Sequence, residues 1–218
     1  YAIDQNPPYW QMPDGAYFES KQLYNTIREY TEQIKRFNNQ LHSLRLLPVP
    51  SKDTIASLEK MKKQLASEIK KLEEKLEALL QKWQPEQLKN ISSIKGIGKR
   101  ASAMLIVFTQ GFKHTHNHRQ LISFAGLSPT EYSSGTSIQG KPRIYKKGGK
   151  NLRDVLYMCS MNAIKTNAAC KALYERLRAK GKTGKQGLIA VCNKLLKQVF
   201  AVVKNGTMYQ PNYCSARP

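Results

Sequence analysis

The chain has 218 residues, room for one large domain or two modest ones, and its 36 Lys and Arg outweigh 15 Asp and Glu to give a formal net charge of +21. A surplus of this size selects polyanionic partners. A basic membrane-surface protein is the competing class, but we find no run near the roughly 18–20 apolar residues that a spanning helix needs and no amphipathic anchor.

Residues 1–15 read as a linker from an upstream domain, since the chain opens on Tyr-Ala-Ile-Asp-Gln without an initiator Met. Leu23, Ile27, Tyr30, Ile34, Phe37, Leu41 and Leu44 then alternate spacings of four and three, the seam of a coiled coil. Pro48 and Pro50 stop that helix, and Ser51 or Asp53 can cap the next. The seam resumes at Ile55, Leu58, Leu65, Ile69, Leu72, Leu76, Leu79 and Trp83, with Lys62 at the one core position lacking an apolar residue. Two helices over 16–46 and 52–83 joined by a proline turn predict an antiparallel coiled-coil hairpin within residues 16–84, reaching on the order of 45 Å at 1.5 Å per residue.

After Gln84-Pro85 the charge changes character. Residues 1–50 carry five acidic and five basic side chains, residues 51–90 seven and nine, and residues 91–218 three and twenty-two. With only Glu131, Asp154 and Glu175 to offset its cations, the later half would repel itself without phosphates, and counterion release would supply much of its binding energy. Nucleic acid is the expected partner.

Leu88 to Phe108 predict a short helix, a tight turn at Gly96-Ile97-Gly98 and a second helix. The pattern resembles a helix-hairpin-helix element, in which such a turn brings backbone N–H groups at a helix N-terminus close to a phosphate. Lys95, Gly96, Gly98, Lys99 and Arg100 suit that use; an ordinary helix–helix turn is the alternative. His114, His116 and His118 fall in what reads as a polar, solvated connection rather than a metal site. Helices are expected from Asn151 to about Lys180, as two pieces, and from Gly187 to Lys204. Only Leu127–Ile144 has the turn-rich, β-branched look of strand or loop. Cys159, Cys170, Cys192 and Cys214 are widely spaced with no Cys-x-x-Cys, so reduced thiols are expected rather than a disulfide framework or zinc site.

The run from Tyr132 to Arg153 holds four Ser/Thr hydroxyls, four glycines and six Lys/Arg, with no acidic residue. A linker would not need Ile144 and Tyr145 at its middle. A serine hydroxyl becomes a useful nucleophile only when its proton is removed and the charge developing on phosphorus oxygens is stabilised. Lys141, Arg143, Lys146, Lys147, Lys150 and Arg153 could do the second, with Ser133 and Ser134, just before Gly135, as the candidates for attack. The residues alone leave two readings open, a phosphate-binding loop and a reactive hydroxyl. Tyr132 and Tyr145 could stack on bases, while Tyr157 fits packing within its helix.

Gly126-Leu-Ser-Pro129, Ser133-Ser-Gly135, Gly140-x-x-x-Ile144-x-Lys-x-Gly148-x-x-x-Leu152-Arg153 and the Leu195-Leu196 helix, in this order, resemble the C-terminal transposase domain of the bridge-RNA-guided insertion-sequence recombinases of the DEDD-plus-serine type. The resemblance covers roughly residues 88–210. It implies a serine that attacks a DNA phosphodiester to form a covalent phosphoserine link, carried here by Ser134, with Ser133 as the alternative. It implies donor and target DNA, a structured bridge RNA, a dimeric or tetrameric homo-oligomer, and a cytoplasmic, nucleoid-associated location in a prokaryote. It also implies Mg2+ held by four acidic residues of a RuvC-like N-terminal domain. No such tetrad is present, and Asp4 and Asp14 are not metal ligands in this reading.

The expected fold class is mainly α: a long antiparallel coiled-coil hairpin, then a compact α-rich domain over 85–210 with a helix-hairpin-helix and a basic serine-bearing loop, then a tail over 211–218. The rival class is a non-catalytic nucleic-acid-binding module that only grips a backbone and oligomerises through its coiled coil.

Overall fold

A computed structural model of the chain describes residues 12–134, 138–145 and 148–211, and for 131–134 and 138–143 it describes the backbone only. The chain divides into two compact units, Tyr1–Leu79 and Leu80–Pro218. The described residues are mainly helical, with eight helices and one two-stranded sheet.

In the first unit, helix α1 (Gly15–Arg45) starts where the Asp14 carboxylate accepts from the Ala16 N–H at 3.2 Å. It ends at Leu46, ahead of the two prolines that the sequence marks as breakers. Helix α2 (Lys52–Trp83) begins after Ser51, whose Oγ accepts from the Thr54 N–H at 3.3 Å. Two polar contacts join the helices next to the turn. Arg45 pairs with Glu59 at 2.6 Å, and Lys62 Nζ donates to Asn38 Oδ1 at 3.2 Å. Moving back along α1 from Arg45 to Asn38 means moving forward along α2 from Glu59 to Lys62, which is the sense of an antiparallel pair. The gap in the apolar seam at Lys62 is thus filled by a hydrogen bond. Buried side chains on α1 are Tyr17, Ser20, Tyr24, Ile27 and Leu41, so its N-terminal stripe runs through Tyr17, Ser20 and Tyr24. Leu23, by contrast, is half-buried.

The second unit is organised around α8 (Gly184–Asn205), which touches α3 (Pro85–Ser92), α5 (His118–Phe124), α6 (Lys150–Thr166) and α7 (Ala168–Ala179). Helix α4 (Lys99–Phe108) lies on α3 and α6. Val191, Cys192, Leu195, Leu196 and Val199 of α8 are fully buried, as are Ile91, Met104, Leu121, Leu152 and Leu156 on the other helices of the unit. Thr183 and Gln186 form a capping box at the start of α8, and Gly206, at φ +64°, closes its end in the left-handed conformation.

Two sequence expectations need correction. By length and composition α8 is apolar enough to cross a membrane, contrary to our finding of no such run. Half of its apolar window is buried inside the unit, which is how the central helix of a globular core behaves. The second concerns the polar connection, which ends earlier than expected because His118 opens α5. There Asn117 Oδ1 accepts from the Gln120 N–H at 2.8 Å, and Gln120 Oε1 accepts in return from the Asn117 N–H at 3.3 Å. That Asn-x-x-Gln box is visible in the sequence and was the missed signal.

Strands β1 (Pro129–Ser134) and β2 (Ile138–Ile144) pair antiparallel, from Pro129 opposite Ile144 to Ser134 opposite Ile138, with an irregularity between Thr130 and Tyr132. The expected basic loop is therefore a β-hairpin inserted between α5 and α6.

Close packing fixes the α3–α4 turn. Gly96 has φ +103°, and a Cβ placed there would stand 2.6 Å from Ala163 Cβ and 2.8 Å from Ala163 Cα on α6. Gly98, at φ −88°, has nothing within 4 Å of its Cβ position. Gly96→Ala should therefore cost roughly 2–4 kcal/mol, from strained backbone and a contact that backbone atoms cannot relieve. Gly98→Ala should cost under about 1 kcal/mol. Urea unfolding of the two variants measures the difference, and equal midpoints would show that the turn does not depend on contact with α6.

Candidate nucleic-acid interface

The α3–α4 turn presents Lys95, Lys99 and Arg100 as exposed side chains around the N-terminus of α4. Gly98 is the N-cap of α4, and no side chain caps that end. First-turn N–H groups there can meet an anion, reinforced by the partial positive charge of the helix end. The two glycines have separate tasks. Gly98 is exposed and open to approach, whereas the side chain absent at Gly96 admits α6.

A buried polar network holds the turn from behind. Asn167, between α6 and α7 and 1 % exposed, donates from Nδ2 to the Lys95 carbonyl at 3.2 Å and to Gln198 Oε1 at 3.1 Å. Its Oδ1 accepts from the Cys170 N–H at 3.3 Å and from the Tyr209 hydroxyl at 3.1 Å. Gln198 Nε2 donates to the Tyr209 oxygen at 3.2 Å. The Tyr209 N–H donates to Ser93 Oγ at 2.8 Å, and Ser93 donates in turn to the Asn90 carbonyl at 2.6 Å. Burial pushes the Tyr209 hydroxyl above its ordinary range, opposed by its bonds to Asn167 and Gln198. Burial likewise pushes Cys170 and Cys192 up to about 11, and raises Cys159 against a hydrogen bond from the Gly98 backbone. These three free thiols are protonated core groups, as their apolar neighbours in sequence suggested. Cys214 lies outside the described residues.

The base of the hairpin is anchored to the end of α5. The Tyr145 N–H donates to the Ser128 carbonyl at 2.7 Å, and the Gly149 N–H donates to the Phe124 carbonyl at 3.3 Å. Gly148 has φ +132°, and a Cβ there would lie 2.8 Å from the Phe124 oxygen, so the chain passes over α5 only as glycine. Arg153 Nη1 donates to the Ala125 carbonyl at 3.3 Å and to the Gly148 carbonyl at 3.2 Å. This arginine, read from sequence as a phosphate contact, clamps the return of the hairpin. Lys150 is exposed in the first turn of α6, whose N-cap, Gly149, offers no side chain.

Ser133 and Ser134 are the last two residues of β1, opposite Gln139 and Ile138, so their backbone lies at the distal end of the hairpin. Their side chains, and those of Lys141 and Arg143, are outside the described set, as are Gly135, Lys146 and Lys147 altogether. The proposed serine–cation geometry thus lies outside the described residues. The backbone does bring Ser134, Lys141 and Arg143 onto one hairpin whose root is fixed by Gly148 and Arg153. Among the described residues, no group of three or more His, Cys, Asp or Glu side chains is placed to hold a metal ion.

Residues 88–175 match the model described as the transposase IS116/IS110/IS902 family. The uncharacterized protein of insertion element IS110 from Streptomyces coelicolor is 32% identical over 120 residues, covering 55% of this chain and 29% of that protein. The pilin gene-inverting protein of Moraxella lacunata is 34% identical over 115 residues, covering 52% of this chain and 36% of its own length. The uncharacterized protein of insertion element IS900 from Mycobacterium paratuberculosis is 25% identical over 122 residues, 56% of this chain and 30% of that protein. The chain spans about a third of the length of these curated relatives.

Proposed function

We propose that this chain is the coiled-coil and transposase part of a serine-dependent DNA recombinase that cuts and rejoins donor and target DNA under the guidance of a structured RNA. The match of residues 88–175 to a transposase family carries the reading. The charge of residues 91–218 supports it, since a domain with twenty-two cationic and three acidic side chains is suited to polyphosphate.

In this reading Ser134 is the nucleophile and Ser133 the alternative. The serine hydroxyl gives up its proton as its oxygen bonds to phosphorus, and the departing deoxyribose oxygen takes up a proton in exchange, so the phosphodiester energy is kept for rejoining. Lys141, Arg143, Lys146, Lys147 and Lys150 supply charge to the phosphorus oxygens, an effect of a few kcal/mol for each well-placed donor. Arg153 acts as a positioning residue through Gly148 and Ala125. The Mg2+ that such chemistry is expected to use would sit on an acidic domain outside this chain. The α1–α2 arm is taken as the contact for a dimer or tetramer.

Three outcomes test the reading. In the full-length protein, Ser134→Ala should abolish strand cleavage and the covalent protein–DNA adduct while DNA binding persists, and Ser133→Ala should be milder. Full cleavage by Ser134→Ala would sink the assignment, and loss confined to Ser133→Ala would move it by one residue. Neutralising Lys95, Lys99 and Arg100 should weaken binding for every DNA sequence and flatten the salt dependence by about one slope unit per lost contact. A loss restricted to one sequence would mean that the turn reads bases instead. Leu72→Asp with Leu76→Asp should lower the oligomer mass in sedimentation, and an unchanged mass would remove the arm from the assembly contact.

A further inference from the structure

A groove of about 460 Å³ lies between α8 and the segment that follows it, within the roughly 300–1,000 Å³ range of small-ligand pockets. Its α8 wall carries Lys194, Lys197, Gln198, Ala201 and Asn205, and Met208 stands on the opposite lip. Among the described residues, no acidic side chain lines it. Met208 is 51% exposed, so an apolar part of the groove lining is left bare.

The groove is rigid where it matters. Tyr209 lines it with its hydroxyl fixed between Asn167 and Gln198, so the ring is held in place when the groove is empty. A fixed aromatic surface with an apolar floor suits a flat heterocycle, and base–aromatic stacking tolerates any base. The amides of Asn205 and Gln210 at the rim offer both donors and acceptors to base edges. The two lysines suit a flanking phosphate.

Next to it on α8, Lys197, Phe200 and Lys204 fall at helical spacing along one stripe. The Lys204 ammonium lies 6.0 Å from the Phe200 ring centre, and the His118 ring meets the Phe200 ring edge-on at 6.3 Å. This stripe continues the basic, aromatic character of the groove toward α5. Asn167, which fixes Tyr209, also bonds the Lys95 carbonyl, so the groove wall and the α3–α4 turn share one support.

We propose that this groove receives one unpaired nucleotide of a nucleic-acid strand, with its base against Tyr209 and Ala201 and its phosphate between Lys194 and Lys197. The proposal rests on nucleic acid being the partner and is independent of the serine chemistry. Single-stranded DNA and RNA present the same phosphate and closely similar bases; the 2′-hydroxyl and the 5-methyl group of thymine separate them.

Fluorescence anisotropy of the full-length protein with labelled oligo-dT, oligo-U and a DNA duplex of equal length tests it. Ala201→Trp fills the groove from an exposed position without changing charge. Met208→Glu places a carboxylate on the exposed lip and serves if the tryptophan variant fails to melt cooperatively. Either should weaken binding of single strands by about tenfold or more, the loss of one stacked base, while duplex binding changes by less than about threefold. A larger loss for oligo-U than for oligo-dT would assign the groove to RNA, and the reverse to DNA. Single-strand binding equal to that of the parent in the groove variants overturns the proposal, as does an equal loss for duplex and single strand. A parent protein that binds none of the three probes overturns the nucleic-acid reading along with it.

Discussion

The second unit depends on one buried amide. Asn167 sits where α6 gives way to α7, and its two polar atoms meet the Lys95 carbonyl, Gln198, the Cys170 N–H and the Tyr209 hydroxyl. Each partner belongs to a different stretch of chain, and each would be left without this bond if the amide were lost. An unsatisfied buried polar group costs about 1–3 kcal/mol, so the network is worth far more intact than in part. Through it the turn that carries Lys95 is tied to α8 and to Tyr209.

The same logic governs the hairpin. Its distal end bears Ser133 and Ser134, yet its direction is set at the root, where Gly148 crosses the Phe124 carbonyl and Arg153 bonds Ala125 and Gly148. The distal end of a two-stranded ribbon keeps its position only if the base is fixed, because an isolated two-stranded hairpin is only marginally stable. Side chains read as chemistry and side chains that place the chemistry are therefore interleaved in the run from Tyr132 to Arg153.

Much of the helical layout was legible in sequence because it depends on local signals. The prolines after Leu47, the seam spacing and the apolar run around Leu195 are enough to locate α1, α2 and α8. The tasks of single residues were less legible, because they depend on partners distant in sequence. Gly96 and Gly98 look equivalent in Gly-Ile-Gly, and only Ala163 of α6 separates the packing glycine from the open one. Arg153 was grouped with the phosphate cations on charge alone, though its partners are two backbone carbonyls. Asn167, a short polar residue between two helices, reads in sequence as a cap and gives no sign of being buried. Tyr209 was hidden in the same way, at the edge of what looked like a tail.

The Cys170 thiol adds a property that neither packing nor charge describes. Its backbone N–H bonds Asn167, its side chain is fully buried, and burial pushes its thiol up to about 11. A reagent that needs a thiolate can reach it only when that part of the core opens. The rate of its modification at neutral pH then becomes a clock for local opening around the network, read without any engineered probe. Comparing that clock with and without bound nucleic acid would report whether a ligand at the groove or the turn slows the breathing of the shared support behind them.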